Sequence, residues 1–178
     1  MRKSKILSPG RLTLITGERG FTHRRMHELI VDLALEGPVK LLIGGNRYDH
    51  YAINYAIAVS TFDYERILAE NIILSRAETC YQMVELLIDT EAGESPTLVL
   101  DLLNTFYDES TPDQEVNQLL FEAITHLRRL SGPSPLVVSA HAREGRPHLL
   151  KVLEKAVDQV ERPPLRPILP IRQRGLFE

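Results

Sequence analysis

Cysteine is almost absent from this chain. Cys80 stands alone among 178 residues, which excludes a disulfide framework and any metal site built on several thiolates. No apolar run approaches the roughly 18 residues that cross a bilayer. The basic opening Met1-Arg-Lys-Ser-Lys5 leads into a short strand-like stretch, not into the apolar region of a signal peptide. A large net charge is missing too: 21 basic residues against 24 acidic ones leave −3, which does not advertise nucleic-acid binding. These absences predict a cytoplasmic protein without a membrane segment, nucleoid association being compatible with them. What is present is ordinary globular composition, 43% hydrophobic and 25% charged, in a chain long enough to bury a core without cross-links.

Charge is unevenly spread. Arg2, Lys3 and Lys5 lie at one end, and residues 161–178 carry four arginines against two glutamates, which leaves 14 basic and 22 acidic residues between. An acidic body with basic ends places local positive potential where the net charge hides it.

Short apolar runs alternate with helical periodicity. Strands are predicted at 12–17, 39–45, 71–75, 97–102 and 135–140, with an edge strand within 156–162. Helices are predicted from about Thr22 to Glu36, Tyr48 to Val59, Tyr64 to Glu70, Ala77 to Ile88 and His148 to Lys155. The best-marked helix opens at Thr111-Pro112-Asp-Gln114, which reads as an N-cap, a proline at the first helical position and a capping-box glutamine. It runs to Gly132 with Val116, Leu120, Ala123, Leu127 and Leu130 in register. Strands of continuous apolar residues separated by helices call for a parallel sheet covered on both faces. The predicted fold is α/β, a doubly wound, mostly parallel sheet with helices on both faces. A basic segment at 1–11, a core at 12–162 and a Pro/Arg-rich tail at 163–178 are the expected divisions.

In such folds ligands sit at the carboxyl ends of the strands. The first strand ends in Gly17-Glu18-Arg19-Gly20-Phe21-Thr22-His23-Arg24, where a phosphate-binding loop G-x-x-x-x-G-K-[ST] belongs. Only Gly17 matches; Thr22, His23 and Arg24 hold the positions of the second glycine, the lysine and the hydroxyl. The fourth strand ends on Asp101, as a magnesium-holding Walker B strand does.

Taken with Asn71-Ile-Ile-Leu-Ser-Arg-Ala77, Leu98-Val-Leu-Asp101, Leu127-Arg-Arg-Leu130 and Leu136-Val-Val-Ser139 in that order, these segments resemble the RecA/RadA recombinase core over roughly residues 10–162. The resemblance implies a RecA-like P-loop fold with a degenerate phosphate loop. It also implies a water-activating acid at about position 46, where Asn46 cannot serve as a general base, and the family's N-terminal polymerisation segment is expected to be missing. The expectation is a recombinase paralog that is a pseudo-ATPase, with no catalytic residue, metal or cofactor. By the same resemblance, His141 holds the place of a γ-phosphate sensor. DNA contacts would fall in two loops, the acidic 104–112 and 141–148, where Arg143 and Arg146 are the candidates for weak DNA binding.

Arg19, His23, Arg24 and Arg25 gather at a helix N-terminus, which favours anions; the favoured alternative is that they are solvated or salt-bridged to Glu18, Glu28 or the acidic body. In the tail, Gln173-Arg-Gly-Leu176-Phe177 resembles the bacterial sliding-clamp-binding peptide Q-L-x-L-F, with Arg174 replacing a leucine. The alternatives expected of such a tail are disorder, or Leu176 and Phe177 folding back on the domain or on a neighbouring subunit. His23 and His27 share metal-ligand spacing but lack the glutamate and third ligand of a zinc motif. Ser139 and His141 do not suggest an acyl-transfer triad, and Cys80 reads as a core thiol.

Three functions follow from these residues. The leading one is a non-catalytic accessory or assembly factor in DNA repair or recombination that binds a repair protein, a sliding clamp included. The others are an atypical ATPase in which Arg24 or His23 replaces the missing lysine, and a purely structural homo-oligomeric subunit.

Overall fold

The computed structural model describes residues 7–45 and 48–166. Six strands, β1 (Leu12–Ile15), β2 (Val39–Gly44), β3 (Ile72–Ala77), β4 (Thr97–Leu100), β5 (Leu136–Ser139) and β6 (Gln159–Glu161), form one sheet in the order β3-β2-β4-β5-β1-β6. Every pairing is parallel. The helices are α1 (Arg19–Glu36), α2 (His50–Ser60), α3 (Tyr64–Glu70), α4 (Cys80–Asp89), α5 (Asp113–Ser131) and α6 (His148–Ala156), with a 3-10 helix at Leu102–Tyr107.

Alternate strand residues feed two cores. Ile15, Leu41, Ile43, Leu98 and Val137 pack under α1, α2 and α3. Leu12, Leu14, Leu42, Val99 and Val138 pack under α4, α5 and α6. Connections that run toward β3 therefore cross one face, and those that return cross the other, as a common hand of crossover requires. The sheet is doubly wound, and among the described residues no helix is long and apolar enough to cross a membrane.

The expected elements are all present, and their ends differ in ways that matter. α1 begins at Arg19, three residues before the predicted start, so the segment read as a phosphate loop is mostly helix. α5 begins after Pro112, whose extended backbone takes the N-cap place, and no side-chain cap bond forms. The buried face of α4 is Cys80, Met83, Val84 and Leu87, while Tyr81 and Ile88 face outward. The stretch after β4 is no open loop, because Thr105, Phe106 and Tyr107 of the 3-10 helix are buried.

Candidate functional site

Two directions of winding part at β1, β4 and β5, so their carboxyl ends frame the crevice where doubly wound sheets hold ligands. Register puts Ile15 beside Ser139 on β1 and β5, and β4 flanks β5 on the other side. Gly17, Asp101 and His141 therefore follow three neighbouring strand ends.

Asp101 is the turning point. It adopts φ 51° and ψ 48°, the one non-glycine residue with positive φ among the described residues. A left-handed aspartate is costly, and it is held there by its amide, which donates to the Ser139 hydroxyl at 2.9 Å. Gly44 and Gly45 at the end of β2 make room for the turn. A Cβ on Gly44 would stand 2.4 Å from the Asp101 carbonyl oxygen, and one on Gly45 would stand 2.2 Å from the Asn104 amide nitrogen.

His141 fills the centre of the crevice. Its Nδ1 lies 3.1 Å from the Gly17 carbonyl oxygen, so that nitrogen is the donor. Its Nε2 lies 3.0 Å from the Thr22 hydroxyl and 3.2 Å from Asp101 Oδ1. The neutral ring accepts from Thr22; the doubly protonated ring donates to Asp101, and the Thr22 hydroxyl then donates to the Arg19 carbonyl at 3.2 Å. The His141 carbonyl accepts from the Tyr107 hydroxyl. Burial pushes the Tyr107 phenol up to about 12, with Arg143 pulling it part of the way back.

The turn from β1 to α1 is only Thr16-Gly17-Glu18. That is too short to wrap a phosphate chain, and Thr22, His23 and Arg24 sit in the second turn of α1 with Thr22 buried and the other two exposed. Gly17 is needed for a different contact. At φ +133° it lies under Pro163, and a Cβ there would stand 2.6 Å from that ring. The glycine thus admits the chain leaving β6.

A pocket of about 280 Å³ opens beside Arg19, Thr22, His23, Asp101 and His141, just under the roughly 300–1,000 Å³ usual for ligand pockets. A recess of about 30 Å³ lies between Arg19, Asn104 and Arg143, and a wider opening of about 930 Å³ lies beyond it along Tyr107, Arg143 and Arg146.

The other candidate residues scatter. Arg25, one of the cations gathered near the α1 start, is paired as the alternative reading expected, bridging Glu161 of β6 at 2.6 Å and Glu28 at 3.2 Å. Arg143 is exposed, its guanidinium 5.8 Å from the Tyr107 ring centroid, and stays available to an anion. Arg146 is not available in that way. It is only 8% exposed and donates to the carbonyls of Phe106, Asp108 and Thr111 at 2.7–2.9 Å and to Asp113 at 2.9 Å. Its guanidinium staples the segment after β4 to the loop after β5, so the DNA reading of 141–148 narrows to Arg143. No group of three metal-ligating side chains occurs among the described residues. Cys80 is buried, as expected of a core thiol. Asn46 and the peptide Gln173, Leu176 and Phe177 lie outside the described residues.

Sequence reasoning missed the Tyr107 and Pro163 contacts. Gly17 and the glycine pair at 44–45 were the local signals of close approaches. No protein-family model matches the chain, and no curated protein does.

Proposed function

We propose that this chain is a non-catalytic RecA-like recombinase paralog, an assembly or accessory factor in DNA repair or recombination whose nucleotide site is closed by its own side chains. One observation carries the pseudo-ATPase part. In a P-loop enzyme a hydroxyl and a strand-end carboxylate hold magnesium while loop amides cradle the phosphates. Here Arg24 stands where that hydroxyl belongs, the Asp101 carboxylate lies against His141, the turn before α1 has three residues, and Pro163 covers Gly17.

The RecA-like part is supported by sequence order and by the way Gly17, Asp101 and His141 follow adjacent strand ends. The repair assignment rests on the resemblance of the five segments between Gly17 and Ser139 to the recombinase core. Exposed Arg143 is the remaining DNA-contact candidate, and Gln173, Leu176 and Phe177 are the clamp-contact candidates.

Calorimetric titration with Mg-ATP tests the closed site, with ATP omitted in one control and magnesium in another. No heat and no thermal shift are expected. Micromolar, magnesium-dependent binding would overturn the reading, and turnover abolished by Asp101→Ala would make the chain an atypical ATPase. The accessory role is tested by association with recombinase, polymerase, clamp and DNA, at low and at physiological salt. Failure to associate with any of them at either salt refutes it.

A further inference from the structure

Helix α2 has two unlike faces. Ile53 and Ile57, four apart, are buried in the core beneath α1 and α3. Tyr51, Tyr55 and Val59, also four apart, share another face and are 77%, 72% and 65% exposed. Phe62, in the turn before α3, is fully exposed, and Tyr64 is partly so. From His50 to Phe62 the chain has no aspartate, glutamate, lysine or arginine. Exposed helix faces normally carry charge, and a contiguous apolar stripe marks an interaction surface where single exposed residues do not.

We propose that this stripe is the interface between two copies of the chain, packed α2 against α2 across a two-fold axis. Aromatic side chains bring about 150–250 Å² each. At their exposures, Tyr51, Tyr55, Phe62 and Tyr64 together with Val59 offer roughly 600–700 Å², close to the 800 Å² or so that each partner gives to a standard stable complex. An uncharged stripe does not repel its own copy, and it offers a charged partner no counter-charge. Charge depletion is also the mark of an interface core.

Geometry agrees with a two-fold arrangement. Antiparallel α2 helices set opposite dipole ends beside each other. Tyr55, at the middle of the stripe, meets Tyr55 of the second copy, and Tyr51 meets Val59 of that copy, the reciprocity a two-fold contact demands. The His50 ring, 4.1 Å from that of Tyr51 between centroids, holds one anchor in place and lowers the cost of ordering it. The apolar surface also continues on this flank. α2 packs on α3, and α3 on the edge strand β3, whose Leu74, on the same face of the sheet, is exposed beside an edge that no described strand pairs. Such an edge is a hazard unless something covers it.

Sedimentation velocity and light scattering of the full chain, from about 1 to 100 µM, test the proposal in the weaker range of interfaces this size. A dimer is expected, with Tyr55→Glu and Phe62→Glu each raising its dissociation constant at least ~30-fold, as buried aromatic anchors do. Both residues are exposed in the single chain, so circular dichroism and melting of the monomer should not change. As an independent check, Tyr55→Cys should form a self-disulfide under mild oxidation while Glu85→Cys, on the opposite face of the sheet, should not; buried Cys80 does not compete. A monomer throughout the range overturns the proposal. So does a dimer indifferent to both glutamates, or one in which Glu85→Cys cross-links as fast as Tyr55→Cys. These results are independent of nucleotide or DNA binding.

Discussion

Replacing Arg146 with methionine should unfold the chain's functional edge, not merely weaken a surface contact. The substitution keeps most of the aliphatic volume and removes the guanidinium. Two of the three carbonyls it serves, those of Phe106 and Thr111, are in buried hydrogen bonds, and each costs about 1–3 kcal/mol when left unpaired. The Asp108 carbonyl is only partly buried, and Asp113 is 74% exposed, so water replaces most of what they lose. Removing the buried cation recovers part of its desolvation cost, which keeps the terms from adding. The expected net loss is about 3–5 kcal/mol, the usual penalty for breaking a buried charged network. That is a large part of the 5–15 kcal/mol or so that holds a domain together. In urea, with a slope near 2 kcal/mol/M, the midpoint should fall by about 1.5–2.5 M. Asp113→Asn and Arg143→Ala should each cost less than about 1 kcal/mol. Arg146→Lys should not rescue, since a compact ammonium cannot span three carbonyls. The reasoning is refuted if Arg146→Met unfolds within about 1 kcal/mol of the parent. It is also refuted if that variant stays stable while its DNA affinity loses about one unit of salt slope, the signature of a phosphate contact.

Three further outcomes follow from the same geometry. Tyr107 ionises near pH 12 in the folded chain and near 10 when unfolded. Its contribution is therefore complete below about pH 10 and is lost as pH rises toward 12, and Tyr107→Phe should flatten the alkaline fall in urea midpoint. Asp158 accepts the Leu12 amide at 2.8 Å and Arg128 at 2.6 Å, the amide first and the arginine second in holding its carboxyl below the usual range. That stability is present above the unfolded carboxylate value and lost as pH falls through the folded one. Asp158→Asn should thus soften acid unfolding by about 1 kcal/mol or less, given its exposure. Gly44→Ala drives a methyl group into the Asp101 carbonyl, which should cost about 1–3 kcal/mol and lower the melting temperature by about 2–12 °C in a calorimetric scan. An unchanged melting temperature would mean that the turn at Asp101 yields freely.

The sheet was legible because its signals are local. Leu12-Thr-Leu-Ile15 and Leu136-Val-Val-Ser139 are apolar runs bounded by breakers, and the periodicity of α5 needs no partner to be seen. The start of α1 was misjudged for a physical reason. A glycine after a strand reads as the opening of a loop, whereas Gly17 serves a close approach by Pro163, 146 positions away along the sequence. Arg143 and Arg146 look interchangeable in sequence. Three carbonyls contributed by the 3-10 helix and the residues after it make one of them structural. The site depends on strand order in the same way, because Thr22, Asp101 and His141 meet only if β5 lies between β1 and β4. A parallel sheet brings distant strand ends together, so residue types at the right positions specify neither a binding site nor its closure. What decides is whether the polar groups there find partners in the ligand or in one another. In this chain the Gly17 carbonyl accepts from His141 Nδ1, and Nε2 serves one further group, the Thr22 hydroxyl with a neutral ring or the Asp101 carboxylate with a doubly protonated one. A nucleotide would have to displace His141 from both bonds and lift Pro163 before gaining any contact of its own, which makes refusal of Mg-ATP the expected behaviour of this site.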